Sequence, residues 1–276
     1  HLNYPYVLTT PFGLDYKLAL YKKDTTYITI NQNIGVQYLF SGSNYIMVYF
    51  EIQNSNLLNT EGFQYSTVLP PFADISSNLY GVEYQHTQLD YLYNPRKGFK
   101  ILFSGAAGSK TIKKNNDINP ELYDDLDLKT TQYHFTISAE FYQALFKRST
   151  FLFRSQNAYI YNPNLFENEL YRIGGLKTLR GFDEESILAS YYSILTFEFR
   201  YLFERNSFFS LFWNGAYYEK ELFNSFLHDL PYGFGAGISF ESRAGIFSIY
   251  YALGKQFDNP VDLKSSKIHF GLTSIF

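Results

Sequence analysis

Residues that carry catalytic chemistry in other proteins are present in this chain but are not arranged for it. The five histidines, His1, His86, His134, His228 and His269, are scattered without metal-ligand spacing, and no Gly-x-Ser-x-Gly elbow presents a nucleophile. His228-Asp229 has no nucleophile partner visible in the sequence. The acidic run Asp117, Glu121, Asp124, Asp125 and Asp127 offers oxygen ligands to a divalent cation but lacks EF-hand spacing, so it reads as a solvated loop. The expectation is a chain with no enzyme activity, no cofactor and no metal. The remaining concentration of distinctive residues is Tyr171-Arg172-Ile173-Gly174-Gly175-Leu176-Lys177-Thr178-Leu179-Arg180-Gly181-Phe182. Its three glycines allow a tight backbone around Arg180.

Composition limits the elements that can hold these residues. One residue in five is aromatic, with 27 Tyr and 28 Phe but one Trp and no Cys in 276 residues, while mean hydropathy is slightly negative. A soluble sandwich would draw its apolar content mainly from Leu, Ile, Val and Ala, whereas a membrane barrel needs amphipathic rings at two interfaces. No run approaches the roughly 18 apolar residues that a spanning helix requires, so strands must do any spanning. A net charge of −3 argues against a nucleic-acid footprint. His1-Leu2-Asn3-Tyr4-Pro5 has neither the basic start nor the apolar stretch of a signal peptide, so natural N-terminal sequence is expected ahead of residue 1.

From residue 14 onward the chain divides into alternating polar and apolar segments: 14–24, 26–40, 45–58, 77–90, 98–110, 131–145, 150–160, 191–203, 207–219, 230–242, 245–256 and 266–276. In 131–145, Tyr133, Phe135, Ile137, Ala139 and Phe141 share one face, and Gln132, His134, Thr136, Ser138 and Glu140 the other. In 191–203, Leu195, Phe197, Phe199, Tyr201 and Phe203 oppose Thr196, Glu198 and Arg200. Aromatics outside with charge inside reverses a soluble barrel. Short links near 41–44, 91–97, 146–149, 204–206 and 243–244 alternate with long ones near 59–76, 111–130, 161–190, 220–229 and 257–265, the exception being a tight hairpin at Asp24 and Thr25. That alternation fits periplasmic turns and external loops. The expected fold is all-β: a transmembrane antiparallel β-barrel domain over 1–276, with about 12 strands in this chain. If the chain ends in the periplasm, residues 1–10 are the tail of an earlier inward strand.

The glycine-rich stretch resembles the Gly-Gly and Val-Arg-Gly-Phe signature of the superfamily of BamA, TamA and two-partner secretion transporters. Asn94-Pro95-Arg96-Lys97-Gly98 is similar to that family's Pro-Arg-x-Gly turn, and Phe212-Trp213-Asn214-Gly215-Ala216 stands where the family has Phe-x-Asp-x-Gly. Gly233-Phe234-Gly235-Ala236-Gly237 stands where it has a Gly-rich strand, and Phe276 ends the chain like an outer-membrane C-terminal signal. These matches occur in order over about residues 85–276, with the signature loop ahead of the last five strands. The resemblance implies the C-terminal part of a 16-stranded barrel in the outer membrane of a Gram-negative bacterium.

It also implies that the loop carrying Gly174, Gly175, Leu179, Arg180, Gly181 and Phe182 folds into the lumen, where Arg180 meets acidic groups. By inward phase its partners are expected to be Glu198, then Asn214 and Glu241, with Asn214 bringing no charge where the family has Asp. Gly233, Gly235 and Gly237 read equally as room for that loop and as sites of barrel curvature. The implied function is assembly of outer-membrane proteins or protein translocation, without a nucleotide. Implied partners are outer-membrane lipids, unfolded outer-membrane or secreted substrates and accessory lipoproteins or other assembly subunits. The alternatives are a passive porin-like or small closed barrel, and the barrel of a patatin-like fusion protein. Periplasmic POTRA repeats would mark the assembly factors.

Overall fold

Period-two alternation of aromatic and polar residues runs through almost the whole chain, and the computed structural model, which describes residues 1–274, is correspondingly built of strands. They are β1 (Leu2–Tyr4), β2 (Phe12–Lys23), β3 (Tyr27–Ser41), β4 (Asn44–Leu57), β5 (Asp74–Leu89), β6 (Gly98–Lys113), β7 (Lys129–Phe146) and β8 (Ser149–Tyr161). They continue with β9 (Tyr171–Ile173), β10 (Ile187–Ala189), β11 (Tyr191–Leu202), β12 (Phe208–Leu222), β13 (Ser225–Asp229), β14 (Tyr232–Ser242), β15 (Gly245–Lys255) and β16 (Lys267–Thr273). Fourteen of them form one antiparallel sheet in chain order, in which β11 follows β8 directly because β9 and β10 leave it as a separate two-stranded ribbon. The strand count therefore exceeds the twelve segments marked in the sequence by the short β1 and β13 and by that ribbon. Phe276 and its expected role as a C-terminal signal lie outside the described residues.

The faces divide as the alternation requires. In β7, Phe135, Ile137 and Phe141 stand exposed on the outer surface while Gln132 is fully buried; in β11, Leu195, Phe197 and Tyr201 are exposed while Thr196, Glu198 and Arg200 are buried. The inner face is polar as well as apolar: Lys110, Thr150, Ser210 and Asn214 are among its most deeply buried side chains. An outer row of tyrosines, Tyr133, Tyr161, Tyr159, Tyr191 and Tyr217, crosses β7, β8, β11 and β12 with ring centroids 6.0 to 6.3 Å apart. Amphipathic rings in such a row suit a membrane–water boundary.

Short turns lie at one end of the sheet and long links at the other, apart from the tight β2–β3 hairpin at Asp24 and Thr25, which lies at the long-link end. The long link expected at 220–229 is instead a hairpin extension, with Leu222 paired to Ser225 and Tyr218 to Asp229. Leu222 and Phe223 hold it in place: Leu222 packs on Leu165, and Phe223 stacks 4.9 Å from Phe166 while its N–H donates to the Leu165 carbonyl. The acidic link 114–128 is not simply solvated either. Ile118 and Tyr123 are buried with Leu69, Ala73, Ile75, Ile112 and Phe166 in a cluster over the long-link end, leaving the carboxylates of Asp117 and Asp124 outside to meet Thr60 and Lys114.

One link, residues 162–190, touches nearly every part of the sheet. Asn168 donates to Ser55 of β4 at 2.8 Å, Arg172 to Tyr27 of β3 at 3.3 Å, and Gly181 to His269 of β16 at 3.1 Å. A sheet whose third and last strands both contact one loop is curled around it, so the loop occupies the lumen. Among the described residues no ladder joins β16 to β1 or β2, which leaves the sheet with two edges.

Candidate functional site

The lumen loop is shaped by its glycines and a threonine. Tyr171, Arg172 and Ile173 pair with Ala189, Leu188 and Ile187, and the chain then turns through Gly174 (φ 116°) and Gly175 (φ 88°), conformations that L side chains rarely adopt. Thr178 closes the turn: its hydroxyl accepts from the Gly174 N–H and donates to the Gly174 carbonyl, both at 2.9 Å. Ile173, Leu179, Phe182, Ile187 and Ala189 then bury against Ile194, Ala216 and Tyr218 of the wall. Arg180 projects from this apolar base.

Its guanidinium is held on three sides. Nη1 donates to Glu198 Oε2 at 2.7 Å, the Phe212 ring lies 3.6 Å from Cζ, and the Tyr250 ring lies 4.9 Å from it. Glu198 is shared: its other oxygen accepts from Arg200 Nε at 2.7 Å, and Arg200 Nη1 donates to Asn94 Oδ1 at 3.0 Å in the turn between β5 and β6. Arg180, Glu198, Arg200 and Asn94 thus form a buried chain running from the loop toward the short-turn end. Charge-assisted bonds of this length are among the stronger protein hydrogen bonds. Two arginines against one carboxylate leave a positive excess that the aromatic faces partly stabilise.

The remaining expected partners meet the loop differently. Asn214 is buried at the loop but donates from Nδ2 to the Arg180 carbonyl at 3.2 Å, leaving the guanidinium to Glu198. Its Oδ1 is buried with no protein partner. Glu241, expected among the partners of Arg180, is exposed and accepts from Asn206 at 3.1 Å. Register explains this: Glu198 lies level with Phe212 and Gly235, so Glu241 sits six residues lower on the same strand, roughly 20 Å away at the usual strand rise. Inward phase selects a face but not a height.

The glycines expected to have two possible roles are separated by their neighbours. A Cβ on Gly233 would overlap the Arg180 carbonyl oxygen, so this glycine admits the loop backbone, and Gly254, not singled out in the sequence, does the same against the Gly181 carbonyl. Gly237 instead leaves space for the Tyr250 ring, and Gly235 for the Phe212 ring and the neighbouring strand's backbone.

Several members of the site were not picked out as such from the sequence. Arg200 was legible as inward-facing but not as the second partner of Glu198. Phe212 and Tyr250 break the aromatics-outside pattern, which is the signal that could have found them. Arg172 leans its guanidinium 3.5 Å over the Tyr21 ring of β2, while Lys267 of β16 pairs with Asp183 at 2.7 Å. The loop therefore grips strands near both edges of the sheet.

A second buried ion pair holds the start of the loop. The Lys110 ammonium meets the Glu169 carboxylate directly and also donates to Asn162 and to the Asn164 carbonyl, over the Phe166 ring. Burial holds the Glu169 carboxyl above its ordinary range, the Lys110 charge offsetting only part of that rise.

No family profile matches this chain, and no curated protein matches it. Among solved structures it is similar to BamA from Haemophilus ducreyi lacking POTRA domains 1-3, with a TM-score of 0.64 at 16% identity. The likeness covers 97% of this chain, which spans 59% of the BamA chain it matches. The fold is that of the BamA barrel, and the resemblance drawn from the Arg-Gly-Phe loop holds at that level.

Proposed function

We propose that this chain, having the fold of the BamA barrel, forms the C-terminal part of the barrel of an outer-membrane machine that inserts or translocates other proteins at the seam beside its last strand. The observation that carries the reading is the outer edge of β16, the last described strand, which has no ladder partner among the described residues and is held from inside by the lumen loop through His269 and Lys267. An unpaired edge is a template for strand addition, which ordinary barrels suppress by closing. Here a substrate strand would add at the β16 edge while the loop holds that strand in place. A lumen filled by the Lys110–Glu169 and Arg180–Glu198 pairs supports this over a passive pore.

Five long strands, β11, β12, β14, β15 and β16, follow the loop, which supports reading the chain as the C-terminal part of a 16-stranded barrel. The outer membrane of a Gram-negative bacterium, its lipids, unfolded barrel or secreted substrates and accessory lipoproteins belong to the same proposal. Photo-crosslinking side chains at Phe270 and Leu272 of β16, compared with Phe135 and Ile137 of the mid-wall, test it. The edge positions should capture unfolded outer-membrane proteins and the wall positions should not. Equal capture at all four positions would sink the seam mechanism.

A further inference from the structure

Three neighbouring short turns, residues 90–97, 147–148 and 203–207, are tied together by side chains. Asn94 Nδ2 donates to the Arg205 carbonyl at 2.9 Å, Asn206 Nδ2 to the Tyr91 hydroxyl at 3.1 Å, and the Arg96 guanidinium to the Phe146 carbonyl at 2.6 Å. Between them lies a cavity of about 350 Å³ lined by Arg96, Lys147, Arg148 and Arg205 together with Asp90 and Glu204. Asp90 spends one oxygen on the N–H groups of Arg96 and Lys97. Among the described residues Lys147 and Arg148 have no ion-pair partner, Arg205 is held only over the Tyr91 ring at 3.9 Å, and Arg96 Nε is buried and unpaired. Four cations and two carboxylates make the cavity positive in a chain whose total charge is −3.

The flanks are as informative as the lining. Phe146, 77% exposed, with Leu92 and Phe203 stands on the same turns and is apolar and uncovered. A free phosphate has no use for such neighbours, whereas an amphiphile places its headgroup in the cavity and its chains along them. We propose that this cavity binds the phosphate headgroup of an anionic phospholipid from the leaflet facing the short turns, an inference that rests on the membrane-barrel reading. Asn94 also accepts from Arg200, so the headgroup would sit at the lower end of the ion-pair chain that holds the lumen loop.

The test is native mass spectrometry of the protein in detergent micelles, titrated with phosphatidylglycerol, phosphatidylcholine and soluble glycerophosphate. Phosphatidylglycerol should remain bound to the wild type. The double variant Lys147→Gln with Arg148→Gln should weaken it about 30-fold, the effect of two basic side chains at an anionic bilayer surface. Lys177→Gln with Lys264→Gln, removing the same charge from the long links, should leave it unchanged. Equal weakening by the control pair, equal retention of phosphatidylcholine, or glycerophosphate binding as tightly as the lipid would each overturn the proposal. Heat-modifiable gel mobility of the same samples reports barrel formation separately; its absence in the wild type would overturn the membrane-barrel reading and this site with it.

Discussion

Glu198 governs the buried charge balance, because Arg180 and Arg200 both depend on it. Removing one partner of a buried ion pair leaves an uncompensated charge, at a cost of about 3–5 kcal/mol. Glu198→Gln should therefore destabilise the barrel by about that amount, since it strands two guanidinium groups in the lumen. Arg180→Ala leaves Glu198 still paired with Arg200 and should cost less, about 1–3 kcal/mol from the lost bond and ring stacking. Urea unfolding of the lipid-folded barrel, followed by the fluorescence of Trp213, the single tryptophan, measures both. Lys177→Ala and Lys264→Ala should leave the midpoint unmoved; a shift equal to that of Arg180→Ala would count against the lumen lock. Gly233→Ala makes the complementary point. Its methyl would collide with the Arg180 carbonyl, so a cysteine placed at Leu179 should become reactive to thiol reagents in that background and stay protected in its absence.

At the scale of elements, the link 162–190 is held at its start by Lys110–Glu169 and at its tip by Arg180–Glu198. Lys110→Met alone should leave the Glu169 carboxylate buried without its cation and cost about 3–5 kcal/mol. Lys110→Met with Glu169→Leu should recover most of that loss, because exchanging a whole buried pair for apolar groups of similar size is often neutral or better. The coupling is read from a double-mutant cycle on urea midpoints; additive losses would show that the pair does not act as a unit. The β12–β13 hairpin and the Phe166–Phe223 stack close the long-link end above it. Phe166→Ala should loosen that cap, visible as a rise in single-channel conductance across a planar bilayer.

For the whole molecule, the segregation of turns and links predicts an orientation. A cysteine at Asp125 in a long link should react with an impermeant thiol reagent on intact cells, and one at Arg243 in a short turn should react only after the outer membrane is opened. The reverse pattern would turn the barrel over and move the headgroup site to the other leaflet. The β16 edge and the loop that holds it also set what can move. The loop holds β16 through His269 and Lys267, so on the proposed mechanism β16 can shift outward only by releasing these contacts.

Much of this is legible in the sequence itself. Period-two alternation located the long strands and told wall from lumen, because a strand's side chains must alternate and a membrane barrel sorts them by solvent. The glycines and Arg180 of residues 171–182 marked the loop. What alternation does not contain is height along the barrel or contact across it. Glu198 and Glu241 have the same inward phase, yet register places only Glu198 at the level of Arg180. Arg200, Asn94, Phe212 and Tyr250 join the site from separate turns and strands, and the reach of Arg172 to Tyr21 depends on the sheet curling around its own loop. Local sequence determined which residues face inward; only the closed-in tertiary arrangement decided which of them meet, since those contacts join groups up to about 150 residues apart that no local period can bring into register.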